Sequence, residues 1–250
     1  MNKLALLCFG LGLTSKEEYS TKDKLLGFLT LVPPIFWLLT PINAASAVVL
    51  SIGGYPAWDK AIVGLVAVAL AGWGVNAFNH YVDRERDKVI WPERILPSGR
   101  VKPYSALIAT ILTFICALLL SWFFFNPTNF LLLLLAIVLG TLYSLFFRDE
   151  VGYLSLPPIV GLVSLGGWTA FSPETLFTSG LPWFLYALHF CWQAAHIMVY
   201  YPLHVTGDAN AKHCMRIPPA FFLKPSSRTA VAIGIGFACL TLVLSILLPF

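Results

Sequence analysis

Asn79, Asp83 and Asp87 are the residues of this chain best equipped for chemistry. They are spaced four apart. On a helix each step of four advances about 400°, so the three drift by only about 80° and share one face. Asn76 lies one turn earlier on that side. A row of amide and carboxylate oxygens is a hard-ligand set that suits Mg²⁺, and Mg²⁺ in turn suits a phosphate-bearing substrate. Arg84, Arg86 and Lys88 are interleaved with the row and would face phosphate oxygens. An ordinary basic loop with neutralising acids has the same composition, so the row alone leaves both readings open. Arg94-Ile-Leu-Pro-Ser-Gly-Arg100 follows. Its Pro97 and Gly99 make a turn, and its two guanidinium groups could grip a diphosphate.

A second polar group lies far along the chain: Trp192, Gln193 and His196, then Tyr200, Tyr201, His204 and Asp208. His189, His196 and His204 recur seven and eight apart, near one face of a helix. A single membrane histidine is more often a packed hydrogen-bonding residue. Three in register, ending at Asp208, favour a polar cavity. Zinc does not fit, because the five cysteines are scattered and no closed Cys/His ligand set is present. Tyr143, Ser144 and Arg148 end an apolar run, a commonplace arrangement that carries little weight alone.

The elements that position these residues cross a membrane. The 250 residues are 58% hydrophobic and 11% charged, with a mean hydropathy of +0.79. A soluble domain carries about 25% charged residues. The pattern is all-α, a polytopic transmembrane bundle, and the alternation of a membrane β-barrel is absent. Seven spans are predicted: 36–54, 61–82, 105–125, 129–147, 154–171, 181–201 and 229–250. Pro33-Pro34 and Pro41 are expected to break the first apolar stretch. Residues 1–35 are read as an N-terminal interfacial segment rather than a signal peptide, and 36–250 as the membrane domain. Of the sixteen Lys and Arg, all but Lys60 fall on one side of this topology. That bias puts the N-terminus and the loop after the Asp row in the cytoplasm. The basic residues serve this topology, so the net charge of +4 does not imply nucleic acid. No Asp, Glu, Lys or Arg lies inside a predicted span, which disfavours a proton-coupled transporter. The carboxylates gather instead at headgroup depth, where the charged end of an amphiphile would sit.

From about Leu39 to Pro219 the chain resembles the UbiA superfamily of intramembrane prenyltransferases. The family's NxxxDxxxD motif matches Asn79, Asp83 and Asp87. Its R-P-L-P-S-G block matches Arg94, Leu96, Pro97, Ser98 and Gly99, with Ile95 in place of the first proline. Its Tyr-Ser followed by a basic residue matches Tyr143, Ser144 and Arg148. Its first-span R-P-x-N matches Pro41 and Asn43, with Thr40 in place of arginine. The second acidic motif departs from the common pair of aspartates: the positions read His204 and Asp208. The WQxxH element at Trp192, Gln193 and His196, with Pro218 beyond, looks more like the haem farnesyltransferase branch. The family usually has nine spans, against the seven predicted here.

The resemblance implies a Mg²⁺-dependent transfer of a prenyl group from a prenyl diphosphate to a lipophilic acceptor within the bilayer, near the cytoplasmic face. Asn79, Asp83 and Asp87 would hold one ion and Asp208 a second. Lys88, Arg94 and Arg148 would neutralise diphosphate oxygens. Asn76, Ser98, Arg100, Tyr143 and Gln193 would complete the substrate site, and His196 or His204 would orient the acceptor or take its proton. No protein partner is expected. Two alternatives stay open: an intramembrane terpene cyclase using the same ionisation, and a non-catalytic lipid-binding or scaffold protein.

Overall fold

The computed structural model describes residues 19–32, 34–148, 153–210 and 227–247, with the side chains of 34–38, 200–210 and 227 outside the description. Among the described residues the fold is all-α. The helices are α1 (Thr21–Leu29), α2 (Pro34–Ile52), α3 (Trp58–Ile90), α4 (Pro103–Phe124), α5 (Pro127–Leu142), α6 (Pro157–Phe171), α7 (Leu181–Asn210) and α8 (Ser227–Ile246). Each of the seven expected spans corresponds to one of the helices α2–α8. Among the described residues five segments are long and apolar enough to cross a membrane by length and composition, with a shorter apolar helix at Leu39–Ile52.

The helix boundaries follow local chemistry. Pro103, Pro127 and Pro157 open α4, α5 and α6. At that position the missing N–H costs nothing and the fixed φ suits the helix. Asn126 caps α5 by accepting from the Asn129 N–H at 3.0 Å. Ser20 and Asp23 form a reciprocal capping box at the start of α1, and these bonds hold the Asp23 carboxyl below its usual range. Pro41 does not break the first span as expected, because α2 runs through it. In a packed membrane helix, neighbouring groups and small local adjustments satisfy the carbonyl that proline leaves unpaired.

α3 sets the depth of the site. Its 33 residues make a helix about 50 Å long, against a hydrocarbon core of about 30 Å. The helix therefore continues past the apolar span, and Asp83 and Asp87 sit on its last turns rather than in a following loop. α3 packs along α4, α2 packs on α6, and α6 and α8 both pack on α7. Close approach is permitted by small residues. A Cβ on Gly167 of α6 would lie 2.3 Å from the Ala44 carbonyl oxygen of α2, so only glycine fits there. One buried cluster joins Leu31 and Val32 to Trp73, Ala77, Leu96, Val101, Ala106 and Ala109, with Phe28 against it. It clamps the segment after α1 and the loop after α3 onto the end of α3 that carries the carboxylates.

Candidate active site

Asp83 and Asp87 are buried, with 6% and 3% of their surface exposed, which makes pairing obligatory. Arg148 Nη1 donates to Asp83 Oδ2 at 2.5 Å, and Arg148 is itself buried. Arg86 Nη1 lies 3.8 Å from the same oxygen. Arg94 Nη1 donates to Asp87 Oδ2 at 2.9 Å, and His80 Nδ1 is 3.9 Å from it. Asn79 donates through Nδ2 to Ser144 Oγ at 3.2 Å. The row thus faces two supports: Asn79 and Asp83 meet the end of α5, and Asp87 meets the loop after α3.

Tyr143–Phe147 form a π-helical turn that continues α5, with Arg148 directly after it. The wider turn brings Ser144 and Arg148 to Asn79 and Asp83 across sixty-five residues of sequence. Tyr143 and Ser144 are buried in it. Nothing in the apolar run predicts this turn. Arg86 Nη2 also donates to the Tyr153 hydroxyl at 3.3 Å, which ties the start of the next segment to the site. His80 and Tyr153 were not anticipated. His80 sits seven residues before Asp87, two turns along the same helix face, and that spacing could have flagged it.

The remaining expected residues divide. Asn76, Gln193 and His196 line the head of a cavity of about 580 Å³, together with Trp192. Asn76 turns its amide N–H onto the Gly72 carbonyl at 2.8 Å. The His196 ring stacks on Trp192 with centroids 5.8 Å apart. Lys88 is not brought to the carboxylates. It pairs with Glu85 at 2.8 Å, both exposed. Ser98 closes its own turn by donating to the Ile95 carbonyl at 3.2 Å, and Gly99 takes the left-handed φ of 78° that this turn needs. Arg100 lies over the Tyr19 ring at 5.6 Å and against Gly27, away from the Asp row. The side chains of Tyr200, Tyr201, His204 and Asp208, and all of Pro218, lie outside the described residues.

The cavity runs beside α3 from Asn76 back to Lys60 and is walled mostly by apolar residues of α2, α3, α5 and α6. An apolar tail could lie along this cavity with its polar end toward Asn76, Gln193 and His196. The residues present fit a hard cation. Asp83, Asp87 and the Asn79 amide oxygen are oxygen donors, and the Asn79 N–H is already used on Ser144. Among the described residues no three His, Cys, Asp or Glu side chains converge as a preformed cage.

The description of the UbiA prenyltransferase family matches residues 28–250. A digeranylgeranylglyceryl phosphate synthase of Thermococcus kodakarensis is 30% identical over 146 residues, covering 58% of this chain and 50% of the relative. A protoheme IX farnesyltransferase of Marinobacter nauticus is 27% identical over 180 residues, covering 68% and 57%. The chain spans about half the length of the relatives it matches. A UbiA homologue from Archaeoglobus fulgidus bound to GPP and Mg²⁺ superposes with a TM-score of 0.66 at 18% identity, over 87% of this chain and 76% of that one. At that identity the likeness concerns the fold. With the family description matched across nearly all of the described bundle, this integral membrane chain belongs to the UbiA prenyltransferase family.

Proposed function

We propose that the protein is a Mg²⁺-dependent intramembrane prenyltransferase, moving a prenyl group from a prenyl diphosphate to a lipophilic acceptor at the cytoplasmic face. One observation carries the reading. Two buried carboxylates, each paired with arginine, lie on α3 seven and eleven residues beyond Asn76, which lines the head of a 580 Å³ apolar cavity. A transporter needs no such juxtaposition of hard-cation ligands, phosphate-matched guanidinium groups and a dry tail site. Names of relatives in two branches, and a solved neighbour holding GPP and Mg²⁺, support the donor class.

Asn79, Asp83 and Asp87 would hold Mg²⁺, with Asp208 the proposed ligand of a second ion. When bound, the cation neutralises charge that develops on the leaving diphosphate. The chain's own groups do the rest. Arg148, Arg86 and Arg94 exchange a carboxylate for diphosphate oxygens, a substitution that keeps each guanidinium in charge-assisted bonds. The buried setting of Arg148 strengthens its interaction, because few waters compete. The allylic C–O bond breaks, its electrons leave with the diphosphate, and the cationic prenyl carbon lies beside Trp192 at the cavity head. An aromatic face stabilises a nearby cation by roughly 0.5–2 kcal/mol. The apolar walls exclude water that would otherwise quench the cation. Gln193 and His196 face the same space and orient the acceptor, whose lost proton His196 takes up.

The test is diphosphate release from purified protein in nanodiscs, with Mg²⁺ or EDTA, for wild type and Asp83→Ala, with mass spectrometry of the organic phase. Mg²⁺-dependent release lost in Asp83→Ala, together with a prenylated acceptor, is the expected result. Folded protein that releases no diphosphate from any donor and acceptor pair would sink the reading.

A further inference from the structure

We propose that Phe125 and Phe171 form a stop that limits the donor's tail to about four isoprene units. The inference rests on the prenyl diphosphate reading above and adds the length of the substrate to it. The two rings meet edge to face, with centroids 5.8 Å apart and planes at 68°. Both line the apolar cavity. Phe125 reaches α3 at Gly64, where an added Cβ would come within 3.3 Å of the Phe125 ring. Gly64 lies one turn above Lys60, at the end of the cavity far from the carboxylates.

The ring pair is braced rather than loose. Asn126, next to Phe125, donates through Nδ2 to the Thr169 carbonyl at 2.6 Å and reaches the Ala170 carbonyl at 3.4 Å. Asn129 donates to the Gly166 carbonyl at 2.7 Å and accepts from Ser121 at 2.6 Å. These bonds pin the α4–α5 turn to the last turn of α6, which carries Phe171. A polar network in an apolar surround resists displacement, because each broken bond leaves buried groups unsatisfied. An aromatic pair held in this way is a wall and not a yielding plug.

Length follows from helix geometry. Asn76 and Gly64 are twelve residues apart on α3, about 18 Å along its axis. An extended prenyl chain advances about 5 Å per five-carbon unit at ordinary carbon–carbon bond lengths. The length is counted with the first carbon placed at Asn76, the polar residue at the cavity head. Four units then bring the chain end to the two rings. Shorter tails leave apolar wall uncovered, and each missing unit forfeits the burial of five carbons. Longer tails must fold back or displace the braced rings.

Binding of non-ionisable thiolodiphosphate analogues with two, three, four and six units, measured calorimetrically in nanodiscs with Mg²⁺, tests this. In wild type the dissociation constant should fall at least about tenfold per unit up to four. The six-unit analogue should bind no tighter than the four-unit one. In Phe125→Ala the six-unit analogue should gain at least about tenfold relative to the four-unit one. Two-unit affinity should be unchanged there, which also reports an intact fold. Val68→Phe, placed inside the cavity eight residues below Asn76, should weaken the four-unit analogue about tenfold and spare the two-unit one. Affinity that keeps rising through six units in wild type overturns the stop. So does a wild-type length profile in Phe125→Ala. If Phe125→Ala binds nothing, an unaltered four-unit affinity in Val68→Phe overturns it instead. Wild type that binds no analogue at all overturns the donor reading on which the proposal rests.

Discussion

At the residue scale, the pairing of Asp83 with Arg148 makes each the guarantor of the other's burial. Removing one partner leaves a charge inside the protein with no compensation. Arg148→Met should therefore lower stability by about 3–5 kcal/mol in a denaturation series in nanodiscs. Adding Asp83→Asn to that variant should recover a good part of the loss, since no unpaired charge then remains. Activity should not return with stability, because the double variant lacks both a proposed cation ligand and a proposed phosphate-facing guanidinium. Asp83→Asn alone should reduce diphosphate release by about a hundredfold or more, the scale seen when one element of a preorganised electrostatic site is removed. Lys88→Ala makes the contrasting case. Lys88 is exposed and bound to an equally exposed Glu85. An exposed pair of this kind contributes no more than about 1 kcal/mol. Turnover and melting temperature in Lys88→Ala should both stay near wild type.

At the element scale, the π-helical turn after α5 and the close contact between α2 and α6 carry the geometry. An α-helical continuation through Tyr143–Phe147 would point Ser144 and Arg148 in other directions, because the turn changes the angular register of everything after it. Gly167 holds the second contact. A methyl group there would sit against the Ala44 backbone, which cannot yield as a flexible side chain does. Gly167→Ala should force α2 and α6 apart and cost about 1–3 kcal/mol in a thermal or denaturant series. The same separation opens the tail cavity, so donor affinity should fall further than the loss of stability alone accounts for.

At the scale of the whole molecule, the long α3 connects two membrane surfaces. Lys60 stands at one end and the Asp row at the other, about 35 Å apart along the helix. The charge-free stretch between them matches the hydrocarbon thickness. A thiol placed at Lys60 and one placed at Glu93 should react with a membrane-impermeant maleimide from opposite sides of oriented vesicles. Labelling of both from one side would refute the topology. The cysteines already present can be replaced by serine or alanine beforehand. On the proposed function, the donor's head would meet the protein at one face while its tail reached toward the other along the apolar cavity lining.

Fold class and the positions of the apolar helices were legible in the chain itself, because burial in lipid demands long apolar helices and expels charge to their ends. The four-residue spacing of Asn79, Asp83 and Asp87 needs only helix geometry to be read as one face. Contacts across distant residues were not legible. That Arg148 meets Asp83, or that Arg86 reaches Tyr153, depends on how α3 and α5 pack and on a turn whose sequence is an unremarkable apolar run. Lys88 and Arg100 look equivalent to Arg94 in the sequence, yet the helix face and the loop path turn them elsewhere. Proline at position 41 has a breaking tendency that the surrounding bundle overrides. The cavity and its ring pair belong entirely to tertiary structure, since their walls come from four helices and their dimensions are set by which small residues let those helices approach. Periodicity reports what each helix must bury, and only packing decides which residues it is buried against.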